Sequence, residues 1–296
     1  MKGTEEEKRR ELAAFLRARR GRVSPRQVGI PAGGQSRKVA GLRREEVAHR
    51  SGISVDYYTR LEQGRLPAPS GSVLDALARA LLLDENQHDY LRQLADLAPA
   101  RRRRTRRQVV PGPVQAVLSD LGTTPALVLG RFMNVLAWND LVAELLYDFA
   151  AVPEARRNLL WLTFTDPSVR ERTLDWDQSA GECVAFLRME AGRYPSDPRL
   201  SELVTELSAQ ESEFQHWWNT YRVSGRNFGS KRILHPVVGE VRLDWQILTV
   251  AQERDQFLVV LPPSDEESRQ RLTPLITPQS HAWHDHAPPT WKEAKA

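Results

Sequence analysis

The sequence predicts a multidomain chain in which an all-α domain of five helices precedes an α+β domain. Three observations carry that reading. Charge is split along the 296 residues: 1–110 hold 24 Lys/Arg against 13 Asp/Glu, and the remainder holds 18 against 25. Apolar residues recur at helical spacing through the first part and alternate with period two near the far end. Between the two lies PARRRRTRRQVVPGP, which has six arginines, three prolines and no apolar period, the signature of a linker.

The elements follow in order. Residues 4–20 read as a helix, with Thr4 and Glu7 in a T-x-x-E capping box, Leu12, Phe15 and Leu16 at helical spacing, and Gly21 as a stop. VSPRQVGIPAGGQSRKVAG reads as a loop. Helices are predicted over 43–51, 54–62, 72–82 and 84–98. The expected divisions are a first domain over 1–98, a basic linker over 99–112, a second domain over 113–276 and a tail over 277–296. In the second domain a helix over 114–121 precedes two strands within 125–139, which turn at 130–134. Helical stretches fill 140–221. In GEVRLDWQIL, Val241, Leu243, Trp245 and Ile247 alternate with polar neighbours, as a half-buried strand requires. QFLVVLPP is a second, more buried strand. Helices between early and late strands predict a mostly antiparallel sheet.

Composition excludes several classes. No apolar run approaches the roughly 18 residues of a membrane span, and the start MKGTEEEKRR is charged where an export signal is apolar. One cysteine, Cys183, cannot form an internal disulfide. A cytoplasmic protein is expected, with Cys183 as a small core residue. G-x-S-x-G, H-E-x-x-H, G-x-G-x-x-G and the phosphate-loop motif are all missing from the sequence, so no enzyme and no cofactor is expected. His281, His284 and His286 cluster in HAWHDH but have no thiolate beside them in a Pro-flanked tail, so no metal site is expected.

The stretch GLRREEVAHRSGISVDYYTRLEQGR carries the sharpest signal. Val47, Ala48, Ile53, Tyr58 and Leu61 are placed to form the shared core of two short helices, and Gly52 suits the positive φ of a tight turn. Ser54 is an N-cap for the second helix, which leaves Val55, Asp56, Thr59 and Arg60 on one outward face. Only the major groove admits a helix and distinguishes all four base pairs. Arg60 is suited to a guanine edge, Asp56 to cytosine N4, and Val55 and Thr59 to a thymine methyl. Arg43, Arg44, Tyr57 and Arg65 are placed for phosphates, which set register without reading sequence. These residues resemble the λ-repressor-like (xenobiotic-response-element, XRE) helix-turn-helix family over roughly residues 12–98. The resemblance implies a five-helix domain that binds double-stranded DNA as a homodimer, with the helix from Ser54 as the recognition helix.

Large apolar side chains crowd the second domain, and all eight tryptophans lie outside the first. Such density suits either an ordinary core or a lined cavity. Asn139, Arg157, Asn158, Arg226, Asn227 and His235 interrupt it, and Asn139 also suits the N-cap of the helix that starts at Asp140. The order PALVLGRFMNVLAWN, RNLLWLTFTDP, DPRLSELVTELSAQESEFQHWW, RNFGSKRILHPVVGEVRLDW resembles the ligand-binding domain of MmyB-like transcription regulators over about residues 112–262. That resemblance implies a PAS-like fold with a buried pocket for a fatty acid. It places the acyl chain against Trp138, Trp161, Phe164 and Trp217, and the carboxylate near Arg157, Asn158 or His235. The competing reading is a protein-interaction or dimerisation module with a packed core and no small ligand.

Overall fold

In the computed structural model, residues 2–30, 40–95, 108–195, 197–221, 223, 227–251 and 253–276 are described. The Thr4 side chain, most of the arginine-rich linker and the His-rich tail from 277 lie outside them.

Helix α1 (Lys2–Arg22) starts earlier than its capping signal suggests and buries Leu12, Phe15 and Leu16 on one face. A 3-10 turn at Pro25–Val28, capped by Ser24, occupies part of the segment predicted as loop. Helices α2 (Arg44–Ser51), α3 (Val55–Glu62), α4 (Gly71–Ala80) and α5 (Glu85–Ala95) follow as expected. Tyr58, Leu77, Leu81, Tyr90 and Leu91 meet Phe15 in one core, where the Phe15 and Tyr90 rings stand edge to face at 5.1 Å.

The second part opens with α6 (Gly112–Asp120) and the strands β1 (Ala126–Leu129) and β2 (Val135–Trp138), joined through a 3-10 turn at Arg131–Met133. A helical layer comes next: α7 (Asp140–Leu145), α8 (Leu159–Thr165), α9 (Pro167–Arg172), α10 (Trp176–Ala191), α11 (Pro198–Gln210) and α12 (Ser212–Asn219). Strands β3 (Phe228–His235), β4 (Gly239–Val250) and β5 (Glu253–Val260) return, followed by α13 (Glu266–Leu272). The sheet order is β2-β1-β5-β4-β3, with every pairing antiparallel. This is the α+β, PAS-like arrangement that the sequence predicts.

Burial explains which strands could be read in advance. Leu127 and Leu129 face the helical layer, whereas Ala126 and Val128 face α6. Both faces of β1 are therefore covered, and it shows a continuous apolar run instead of alternation. The edge strand β3 escaped prediction because Gly229, Ser230, Lys231 and Arg232 leave it with little apolar content. Helix α13 was likewise unpredicted. Its polar sequence EESRQRL is held by the Asp265 cap, with Leu272 buried beneath.

The two parts touch. Val223 is buried in the N-terminal core, and Met189 and Tyr221 pack against it. Gly192, which ends α10, lies so near Tyr90 that a Cβ there would stand 2.6 Å from the ring.

Candidate DNA interface and ligand cavity

The helix pair α2–α3 is built as its residues dictate. Val47, Ala48 and Tyr58 are fully buried, and Gly52 takes φ 68° and closes α2 onto the Ala48 and His49 carbonyls. The Ser54 Oγ accepts from the Tyr57 N–H at 3.1 Å. Val55, Asp56 and Arg60 are then exposed on α3, and Thr59 is half-buried beside them. Asp56 and Arg60 stand 3.9 Å apart on one face, a spacing too loose to hold either side chain back from a base. Tyr57 and Arg43 are half-buried, while Arg44 and Arg65 are exposed. The predicted readers thus share α3 with Tyr57, while Arg43 and Arg44 stand at the start of α2 and Arg65 just after α3.

One residue on the opposite, inward side of α3 was not foreseen. Glu62, at the end of α3, is 0% exposed. Its Oε1 accepts from Arg20 Nε at 2.6 Å and its Oε2 from Arg44 Nε at 2.5 Å, while Arg20 also donates to the Leu42 carbonyl. Burial opposes the Glu62 charge, but the guanidiniums of Arg20 and Arg44 outweigh it and hold the carboxyl below the ordinary range. The carboxylate therefore ties α1, the start of α2 and α3 together. Arg44 is a half-committed anchor: its Nε is spent on Glu62, and the rest of its guanidinium remains exposed. The available signal was helical phase, because Glu62 lies four residues after Tyr58 and shares its inward face.

In the second part an apolar cavity of about 50 Å³ lies between α8, α9, α10 and β3. Leu146, Tyr147, Phe149, Leu159, Leu162, Val169, Trp176, Cys183 and Ile233 supply most of its wall. Thr163, Thr173 and Ser179 are its neutral polar groups, and Arg172 and Lys231 its cations. Among the described residues neither cation has a hydrogen bond or ion pair with another side chain. Desolvation pushes the Cys183 thiol above its ordinary value, which suits an inert wall residue rather than a nucleophile.

The residues expected to hold the ligand sit around this cavity and not on its wall. Phe164 meets Trp176 at 5.4 Å and Trp217 at 5.9 Å, and Trp138 meets Phe149 at 5.4 Å. They back the residues that face the void. Trp161 stacks under Arg156 at 4.5 Å. Three of the four polar candidates are occupied elsewhere, and Arg157 is occupied in part. Asn139 caps α7 and donates to the Leu121 and Thr124 carbonyls. Asn158 caps α8 and donates to the Phe132 carbonyl at 2.7 Å. Arg157 donates to the Val152 carbonyl at 2.7 Å and lies over Trp138. His235 is buried; its Nδ1 faces the Val237 and Val238 N–H groups, which makes Nε2 the donor to the Glu144 carbonyl. Arg226 lies outside the described residues.

Among the described residues no helix is long and apolar enough to cross a membrane, and no group of three His, Cys, Asp or Glu is placed to hold a metal. The His281–His284–His286 cluster lies outside them. No curated protein matches the chain. Residues 11–91 match a helix-turn-helix domain family, which covers α2, α3 and the exposed face just described. Residues 110–275 match the MmyB-like transcription regulator ligand binding domain and span the sheet, the helical layer and the cavity. The chain belongs to the MmyB-like ligand-binding-domain family of transcription regulators, and it joins that domain to a DNA-binding helix-turn-helix.

Proposed function

We propose that this regulator works in the cytoplasm as a homodimer on a two-fold DNA site, without enzymatic activity, and that it responds to a fatty acid. Val55, Asp56, Thr59 and Arg60 read bases from the major groove, while Arg43, Arg44, Tyr57 and Arg65 hold phosphates. The observation that supports the ligand class is the apolar cavity with two uncommitted cations, Arg172 and Lys231, on its wall. An apolar lining selects a hydrocarbon chain, and unpaired cations select an anionic end. Arg172 and Lys231 therefore take the carboxylate in place of Asn158 and His235, whose polar atoms are already bonded, and of Arg157, whose Nε is held by the Val152 carbonyl and whose guanidinium lies over Trp138.

Size adds a condition. A cavity of about 50 Å³ holds only a few waters, so a long acyl chain must part the wall. Burying roughly a dozen methylenes returns on the order of 10 kcal/mol, from which association costs of at least roughly 4 kcal/mol and the work of opening are subtracted. At most about 6 kcal/mol remains, so affinity no tighter than tens of micromolar follows.

The same smallness favours the second reading, a protein-binding module with a packed core. Thermal melts and native mass spectrometry of the full chain with palmitate separate the two. A raised melting temperature and a one-to-one adduct are expected. No shift with any acid of C10–C18 removes the fatty-acid reading and leaves the interaction module.

A further inference from the structure

Helix α10 runs from the cavity to the DNA-binding domain. Its first turns carry Trp176, Ser179 and Cys183, all on the cavity wall. Near its other end stands Arg188, whose side chain is 3% exposed. With 16 residues, α10 is about 24 Å long. The Arg188 Nη1 donates to Glu11 Oε1 on α1 at 2.5 Å, and its Nη2 donates to the Trp218 carbonyl on α12. The guanidinium lies 3.5 Å from the Trp218 ring centroid and 4.2 Å from that of Tyr221. Glu11 in turn accepts from Tyr90 on α5 at 3.1 Å. One turn beyond, Gly192 lies against the Tyr90 ring.

A second route reaches the same place. Trp176 packs against Trp217 at 5.7 Å, and Trp217 is the neighbour of Trp218 on α12. Both helices that hold Arg188 therefore lead back to one cavity wall. Interiors are close-packed, so a wall that parts moves its helices as units. Helix shifts at interfaces run to about 1–2 Å, which is enough to lengthen a 2.5 Å ion pair beyond bonding distance.

We propose that α10 is the transmitting element of the regulator: opening of the cavity displaces the Arg188–Glu11 clasp and resets the helix-turn-helix domain against the ligand domain. This rests on the cavity being the ligand site, so the test has one arm with a ligand and one without. DNA affinity of the full chain is measured by fluorescence anisotropy on a duplex selected in vitro, with and without palmitate. In the arm without ligand, Ser179→Leu fills the cavity from within, and Cys183→Leu repeats the test should Ser179→Leu lose its cooperative melt. Each is combined with Glu11→Gln, which keeps shape and removes charge, or with Gly192→Ala, which forces Tyr90 away while its αR backbone accepts alanine.

The filled cavity is expected to change the DNA dissociation constant by about 5-fold or more. In the Glu11→Gln and Gly192→Ala backgrounds that change falls below about 2-fold. Palmitate is expected to follow the same pattern. A change from cavity filling that survives intact in both clasp variants overturns the proposal, as does a filled cavity that leaves DNA affinity untouched. Palmitate that neither binds nor shifts affinity removes the fatty-acid reading alone, and cavity filling still decides the clasp.

Discussion

The exposed face of α3 and the apolar cavity of the second part use polar side chains in opposite ways. On α3 the outward residues Val55, Asp56 and Arg60 are exposed, and among the described residues the only side-chain pairing they make is the loose 3.9 Å one between Asp56 and Arg60. Around the cavity, Asn139, Asn158 and His235 are consumed by caps and carbonyls and Arg157 is held through its Nε, whereas the two cations on the wall, Arg172 and Lys231, remain uncommitted among the described residues. A binding group must have valence to spare. On a surface helix, spare valence can be read from helical phase. In a core it depends on which neighbours the fold supplies, and sequence spacing does not carry that information.

The same contrast separates two buried carboxylates. Glu62 has two guanidiniums, one on each oxygen. Glu190, 3% exposed on α10, receives Arg193 on one oxygen at 3.0 Å while its other oxygen has no partner among the described residues. Desolvation dominates there, Arg193 offsets it in part and Asp255 adds to it, so the Glu190 carboxyl is pushed up to about 7.

The largest expected effect is at Glu62. Glu62→Ala leaves Arg20 half-buried without its carboxylate and should cost about 3–5 kcal/mol, measured by urea denaturation, with DNA binding lost alongside. The wild-type contribution is fully present above the unfolded carboxyl value of about 4.3 and disappears as pH falls through the lower folded value. A Glu62→Ala protein as stable as wild type at neutral pH would break the contrast between a tied reading helix and freely standing readers.

Glu190 should behave with the opposite sign. Its folded carboxyl lies above the unfolded one, so folding stability declines as pH rises from about 4.3 toward 7 and is level beyond. Glu190→Gln should remove that slope and add about 3 kcal/mol at pH 8, read from urea melts across pH. A variant with the wild-type pH profile would show that Glu190 is compensated as Glu62 is.

Smaller effects sharpen the comparison at each site. Arg60→Ala should lose about 1–3 kcal/mol at one base position only. Arg44→Ala should weaken all sequences alike and flatten the salt slope, and should also loosen the Glu62 tie and lower thermal stability. Binding to a panel of single-base duplex variants, alongside melts, separates reader from anchor. At the cavity, Lys231→Ala should weaken palmitate by about 1 kcal/mol, or roughly 5-fold, while leaving an uncharged C16 alcohol unaffected. Calorimetry with both ligands checks this, and equal losses for acid and alcohol would return the headgroup to the Arg157 side.

Legibility in the sequence followed the reach of each interaction. Local chemistry carried the DNA-binding half: Ser54 as cap, Gly52 at positive φ and the Val47–Ala48–Tyr58–Leu61 core all stand where spacing places them. Asn139 as the cap of α7 and the alternation in β4 were readable for the same reason. What was missed is long-range. Glu62 and Arg20 are 42 positions apart, and Glu11 and Arg188 are 177 apart. Edge strand β3 had no apolar pattern to announce it, and the cavity wall draws on residues from Leu146 to Ile233. Aromatic density pointed to the layer in which the cavity lies but not to the side chains that face the void.

The most direct test of the central claim, that α3 reads bases from its free outward face, is the affinity of the full chain for an in vitro selected duplex against a scrambled duplex at one salt concentration. The selected duplex is expected to bind at least about 10³-fold tighter, with that preference reduced by Arg60→Ala. Equal affinity for the two duplexes would contradict it.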